Sequence, residues 1–322
     1  MENSIPLPNQ PQRPMGGPAA LQPQAIAPHR IHPQTRPAYV HLKVADLDRE
    51  IEFYQHLIGL RLHWKDAQNA GLGAGGRDLL RLTQIQNGRR YRGVSGLYHF
   101  AILFPNRREL ARAVARLFAN KWLNYPTDHI MTKTTYLDDP EGNHIELYCE
   151  SPEDGVFGMV NGEFIAMRQD GSLSDGREPL DLETLFAHLS PQDRLDEPVP
   201  QETRLGHFHL YVGSLQHTMA FYHGLLGFDN MGIARSFRMG MVSAGGYHHH
   251  IGFNTWQGEG APPAPADALG MLHFAFDLPH IAEFERLHQH LTAQAAAFEL
   301  REDGLALRDP SGNPIVFLKP QP

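Results

Sequence analysis

The sequence is poor in the features that would tie it to an oxidising compartment, a membrane or a nucleic acid. Among 322 residues there is one cysteine, Cys149, which excludes an internal disulfide framework and suits a reducing cytoplasm. No apolar run approaches the ~18–20 residues of a bilayer-spanning helix, so no membrane association is expected. The N-terminus has no basic start followed by an apolar stretch and a cleavage site, so secretion is not expected and the cytoplasm is. Positive charge is in deficit, 28 basic against 36 acidic residues, and nothing points to a nucleic-acid partner.

Histidine is abundant, with 20 residues, and it is uneven: Tyr247-His248-His249-His250 is a mid-chain cluster. The chain also contains one stretch twice. Asp138-Asp-Pro-Glu-Gly-Asn-His-Ile-Glu-Leu-Tyr148 returns as Arg308-Asp-Pro-Ser-Gly-Asn-Pro-Ile-Val-Phe317. Each reads as a Pro/Gly/Asn turn feeding a short apolar strand. The first strand carries Glu146 where the second carries Val316, so only the first could offer a carboxylate to a metal.

Residues 1–35 are Pro- and Gln-rich without an apolar period and read as a disordered tail. Tyr39–Val44 alternates like a strand, and a helix capped by Asp46 follows, ending at Gly59. The same opening recurs from Gly206, with Phe221-Tyr222 matching Phe53-Tyr54, which indicates a duplicated domain. Each copy divides again at Tyr98-His99 and Leu272-His273. The expected fold is therefore α+β, with four βαβββ units beginning near residues 38, 96, 205 and 271. They are grouped as domains 36–151 and 203–320. The segment 152–202 between them reads as a polar, surface-packed linker with one amphipathic helix at about 182–189.

Four such units, with Phe-Tyr after the first helix and Asp-Pro-x-Gly-Asn before the last strand, resemble the vicinal oxygen chelate superfamily. That superfamily includes glyoxalase I, bleomycin-resistance proteins and type I extradiol dioxygenases. The resemblance covers about residues 36–320 and implies two tandem glyoxalase-like domains. It is nearest to two-domain bacterial catechol-2,3-dioxygenase-like proteins, through Gly96-Leu-Tyr-His-Phe-Ala-Ile-Leu103 and Ser243-Ala-Gly-Gly-Tyr-His-His-His-Ile-Gly252.

Such proteins pair two units into a cupped sheet that holds a metal. Carried over, the resemblance implies first-strand ligand positions at Tyr39, His99, His207 and His273. His41 falls two residues off and reads as a core or cup-lining histidine. Iron(II) oxygenases use two histidines and one carboxylate on one face. Units three and four offer His207 and His273 but only Val316; units two and three offer His99, His207 and Glu146. That choice makes the halves exchange units, unlike ordinary extradiol dioxygenases, whose ligands all lie in the C-terminal half. The conventional alternative keeps units three and four together and leaves a two-histidine site with water or another side chain as third ligand.

The resemblance further implies an acid–base histidine at His249, on a strand expected from Tyr247 to Phe253. On that strand His248 and His250 would share the opposite face. It also implies a tyrosine at Tyr136, with Leu307 at its place in unit four. His129, His209, His248 and His250 are expected around the ligands or the substrate. The implied cofactor is Fe(II), with Mn(II) suited to the same ligands, and the implied partners are a small catecholic or hydroquinone-type aromatic and O2. Homo-oligomer formation is left open. Two other readings stand beside this one. A glyoxalase-like lyase or isomerase would use Zn(II), Ni(II) or Co(II) with a fourth protein ligand. A metal-free binding protein of the bleomycin-resistance kind would have an aromatic groove and no compact triad.

Overall fold

A computed structural model describes residues 29–320, so most of the expected tail lies outside the described residues. Its last part does not behave as a tail. Ile31 is buried, its N–H donates to the Gly227 carbonyl at 3.0 Å, and the His29 ring stacks on His290 at 4.0 Å.

Unit one comprises strands β1 (Arg36–Val44), β2 (Arg61–Lys65), β3 (Asn69–Ala74) and β4 (Arg77–Gln84). Unit two comprises β5 (Gly96–Phe104), β6 (Asn124–Asp128), β7 (Thr132–Asp138) and β8 (His144–Glu150). Next come four short strands, β9 (Gly155–Val160), β10 (Glu163–Arg168), β11 (Leu173–Ser174) and β12 (Glu178–Pro179). Unit three has β13 (Arg204–Tyr211), β14 (Asp229–Ala234), β15 (Met239–Ser243) and β16 (Ile251–Asn254). Unit four has β17 (Gly270–Asp277), β18 (Glu299–Leu300), β19 (Gly304–Arg308) and β20 (Pro314–Leu318).

The helices are α1 (Leu47–Phe53), α2 (Arg107–Ala119), α3 (Leu182–Phe186), α4 (Leu215–Met219) and α5 (Ile281–Ala293). Side-chain caps start three of the unit helices. Asp46, Asn106 and Ser214 each accept the N–H three residues on, satisfying an end that has no partner within its helix.

Neither large sheet is built from one half of the chain. The eight-stranded sheet runs β18-β19-β20-β17-β1-β4-β3-β2, and the nine-stranded sheet runs β12-β6-β7-β8-β5-β13-β16-β15-β14. The seams are antiparallel pairs, β1 with β17 and β5 with β13. Unit one therefore pairs with unit four, and unit two with unit three. Strand alternation sends Phe100, Phe208, Phe274 and Phe276 to a shared core, where Phe208 meets Phe274 at 4.9 Å.

The duplicated motifs bond to each other. Tyr54 donates to Asp139 Oδ2 at 2.8 Å, and Tyr222 donates to Asp309 Oδ2 at 3.2 Å. Asp139 Oδ1 meanwhile accepts from the N–H groups of Glu141 and Asn143. The Phe-Tyr and Asp-Pro-x-Gly-Asn repeats thus form a buried lock, tying the first unit of each half to the second across the two sheets.

Three expectations need correction. The linker has its expected helix, α3, although this stops at Phe186, but it is more than a polar strap: β9, β10 and β11 form a sheet of their own, and β12 extends the nine-stranded sheet along β6. Asn161 and Gly162 both have positive φ, 53° and 80°, the two-residue hairpin turn that Asn-Gly favours. The strand expected from Tyr247 begins only at Ile251, because Gly245 and Gly246 (φ 65° and 77°) turn the chain just before it. In unit four the residue opposite Val316 is Ala306, as Tyr136 is opposite Glu146. Ala306, not Leu307, stands in the tyrosine's place.

Candidate metal centre and active site

Three side chains from three adjacent strands meet on the concave face of the nine-stranded sheet. His99 comes from β5, Glu146 from β8 and His207 from β13. Their ligand atoms form a nearly equilateral triangle: His99 Nε2 to His207 Nε2 is 3.2 Å, His99 Nε2 to Glu146 Oε2 is 3.2 Å, and His207 Nε2 to Glu146 Oε2 is 3.1 Å. All three are almost fully buried. A first-row divalent ion with bonds of about 2.1 Å at right angles holds neighbouring ligand atoms about 3.0 Å apart. The triangle fits one face of such a coordination shell, with the remaining positions open to the cavity. Burial opposes the Glu146 charge, but His207 and His99 outweigh it and hold the carboxyl well below its usual range. Thr134 Oγ1 donates to Glu146 Oε1 at 3.0 Å and so orients the carboxylate.

The triangle floors a cavity of about 680 Å³. Tyr136, opposite Glu146 on β7, stands in its wall, where burial and the Glu146 charge keep its phenol protonated far above the ordinary range. His129 Nε2 lies 2.8 Å from the Tyr136 hydroxyl, and its Nδ1 bonds to the Gly176 carbonyl. A carbonyl only accepts, so the ring proton sits on Nδ1 and Nε2 accepts from Tyr136. His209, directly opposite His99 across the seam, also lines the cavity, and its Nε2 accepts from Asn254 Nδ2 at 3.0 Å. Burial, reinforced by His99 and His207, keeps its ring neutral.

His248 and His249 both face the cavity, since the loop that carries them is not extended. The His249 ring lies 4.2 Å from that of His207. Burial, with His207 and His248, pushes its pKa well below the usual imidazole value; burial and His207 push His248 down to about 3. His250 departs from its expected place. It turns under the loop, where its Nδ1 accepts from the Ala244 N–H at 3.0 Å and from Ser243 Oγ at 3.1 Å. It therefore holds the loop and does not touch the cavity.

Two further clusters could group around a cation. His207, His248 and His249 place ligand atoms within 4.8 Å of one another, sharing one residue with the triangle. His32, His280 and Glu283 do so at the surface, where Glu283 already bonds to Arg286 at 2.5 Å.

Several wall residues escape sequence reasoning. Tyr98 carries a signal, since it precedes His99; Thr134, which lies behind the wall against Glu146, carries one as well, since it shares a strand face with Tyr136. Phe157, Phe164 and Arg177 come from the supposed linker and carry none.

The fold and the site together define a class. The sequence profile of the Glyoxalase/Bleomycin resistance protein/Dioxygenase superfamily matches residues 36–147 and 204–317, and the chain belongs to that superfamily. It is 34% identical over 292 residues to the catechol-2,3-dioxygenase of Bacillus subtilis (strain 168), covering 89% of this chain and 99% of that protein. Among solved structures it resembles a Bacillus subtilis subsp. subtilis str. 168 protein assigned to the dioxygenases. There the TM-score is 0.59 at 13% identity, over 91% of this chain and 87% of that one. It also resembles glyoxalase I from Zea mays, with TM-score 0.51 at 16% identity, over 89% and 92%. At those identities the structural likeness speaks for the fold alone.

Proposed function

We propose that the chain is an Fe(II)-dependent extradiol dioxygenase that opens the ring of a catecholic or hydroquinone-type aromatic with O2. The observation that carries this reading is the His99, Glu146 and His207 triangle, open on one side to a cavity walled by Tyr136, His209 and His249. The catechol-2,3-dioxygenase likeness over nearly the whole chain supports it. A divalent ion held by the triangle would bind the diol and O2 side by side and make the bound hydroxyl more acidic. Mn(II) suits the same donors.

His249 is neutral and half-buried beside His207, so it can accept the proton that the diol gives up and return it later in the turnover. Tyr136, its own proton directed at His129, presents its oxygen to a substrate hydroxyl. Between them these groups fix which face of the ring meets the metal. Phe157 and Phe164 roof the site and keep water from it. Domains 36–151 and 203–320, working as one cytoplasmic enzyme, are part of this proposal; among the described residues no helix is long and apolar enough to cross a membrane.

Anaerobic loading with iron(II), followed by catechol and oxygen electrode measurements, tests the reading. Stoichiometric O2 uptake with a coloured ring-opened product is expected. Failure with iron, together with Zn(II)-supported turnover of a hemithioacetal, would replace it with the lyase reading, for which His248 or His249 could supply the fourth ligand.

A further inference from the structure

The cavity is larger than one diol ring requires, since about 680 Å³ lies within the range that encloses a drug-sized ligand. Its upper part changes character in two steps. Beyond the histidines come apolar walls, where Phe164 and Met241 belong to one buried cluster packed with Phe157 and Met239. At the mouth stand two guanidiniums, Arg177 from the segment between the halves and Arg238 from the β14–β15 turn. The first guanidinium and the turn that carries the second are held in place. Arg177 lies over the Phe237 ring at 4.1 Å. The turn bearing Phe237 and Arg238 is pinned by Trp256, whose indole N–H donates to the Phe237 carbonyl at 2.7 Å.

The neighbouring acids are engaged elsewhere. Glu178 pairs with Arg168, Glu163 accepts from Ser236, and Asp175 accepts the backbone N–H of Arg177. Asp175 also lines the mouth, so the rim carries one acid against two arginines. A net positive rim on a chain of net charge −8 selects for an anion, and a guanidinium pairs best with a planar carboxylate.

Resting on the ring-cleaving reading above, we infer that the substrate is an aromatic diol bearing an apolar arm that ends in a carboxylate. The diol reaches the His99, Glu146 and His207 triangle, the arm runs along the phenylalanine and methionine wall, and the carboxylate ends between Arg177 and Arg238.

The test compares dihydrocaffeate, propylcatechol and dopamine, which share the diol and carry an anionic, a neutral and a cationic arm. With the iron-loaded enzyme, kcat/KM for dihydrocaffeate should exceed that for propylcatechol by at least about tenfold. The ratio should shrink as salt is added. It should collapse toward unity in R177Q/R238Q and survive in R235Q, which alters the same turn away from the cavity. A preference for propylcatechol or dopamine, or a ratio indifferent to R177Q/R238Q, overturns the inference. If none of the three diols consumes oxygen, the ring-cleaving reading has failed instead. Quenching of tryptophan fluorescence by dihydrocaffeate and propylcatechol then still decides: tighter binding of the acid, lost in R177Q/R238Q, supports the anionic arm, and equal binding rejects it.

Discussion

The two large sheets carry the same frame and opposite fates. Opposite His99 at the first seam stands His209; opposite His273 at the second stands His41. Each of those partners is held from the same neighbouring position, His209 by Asn254 at 3.0 Å and His41 by Thr83 at 2.7 Å. Four substitutions separate the proposed metal site from the second cup. Tyr39 replaces His207, Val316 replaces Glu146, Ala306 replaces Tyr136, and Arg81 stands where the active cup has Gly252. Arg81 fills the second cup with its guanidinium 3.9 Å over the Tyr39 ring, while Tyr39 bonds to His273 at 3.1 Å. In the first cup even a methyl on Gly252 would come within 3.1 Å of the His209 ring. The duplication supplied the cup twice, and on the proposed reading the chemistry resides in a few residues of one cup, drawn from both halves of the chain.

The largest expected effect comes from making the active cup resemble the inert one. Glu146→Gln should strip the metal and lower kcat/KM by at least about a thousandfold, or about 4 kcal/mol. His273→Ala should leave both intact. Metal analysis of the purified variants, alongside oxygen uptake, checks the pair.

The converse change is nearly as severe. Val316→Glu puts a carboxylate in an apolar site and should cost about 3 kcal/mol in urea unfolding. Adding Tyr39→His and Arg81→Gly should recover part of that loss and bring a second bound metal per chain. A triple variant that still binds one metal would mean that more than these positions separate the cups.

Thr134→Val removes the hydroxyl that orients Glu146 and has no counterpart in the other cup's chemistry. A fall in metal affinity of about tenfold, measured by competition with a chelator, is expected.

The smallest effect is on acid stability. Burial, helped by Arg301 and Arg81, lowers the His273 pKa to about 4, below its unfolded value of 6.5. Its contribution is therefore complete above pH 6.5 and is lost as the pH falls toward 4. His273→Gln should lose less stability than wild type between pH 7 and pH 5, by on the order of 1 kcal/mol. An unchanged difference would mean that the second cup is open to water.

Much of this was legible in the sequence, for reasons that vary by element. Periodicity and the repeated Phe-Tyr and Asp-Pro motifs reveal four units, because each repeat marks one hydrogen-bonded lock. The Glu146 and Val316 mismatch leads to the exchanged pairing, since a carboxylate without two histidines on neighbouring strands has no use as a ligand. Alternation fails at Tyr247–His250, where paired positive-φ glycines break the strand and send His248 to the cavity and His250 beneath the loop. The roof escaped because the segment after residue 151 reads as polar linker, although its Asn161-Gly162 turn signals a hairpin. Which cavity that hairpin covers is set by long-range packing of Phe157 and Phe164, and no local pattern encodes it.

The claim that the metal centre bridges the two halves is tested most directly by anomalous diffraction from crystals loaded anaerobically with iron(II). A single strong peak bonded to His99 Nε2, Glu146 Oε2 and His207 Nε2, with open positions facing Tyr136 and His249, is the expected result. A peak between His207, His248 and His249 without Glu146, or one beside His273, would contradict it.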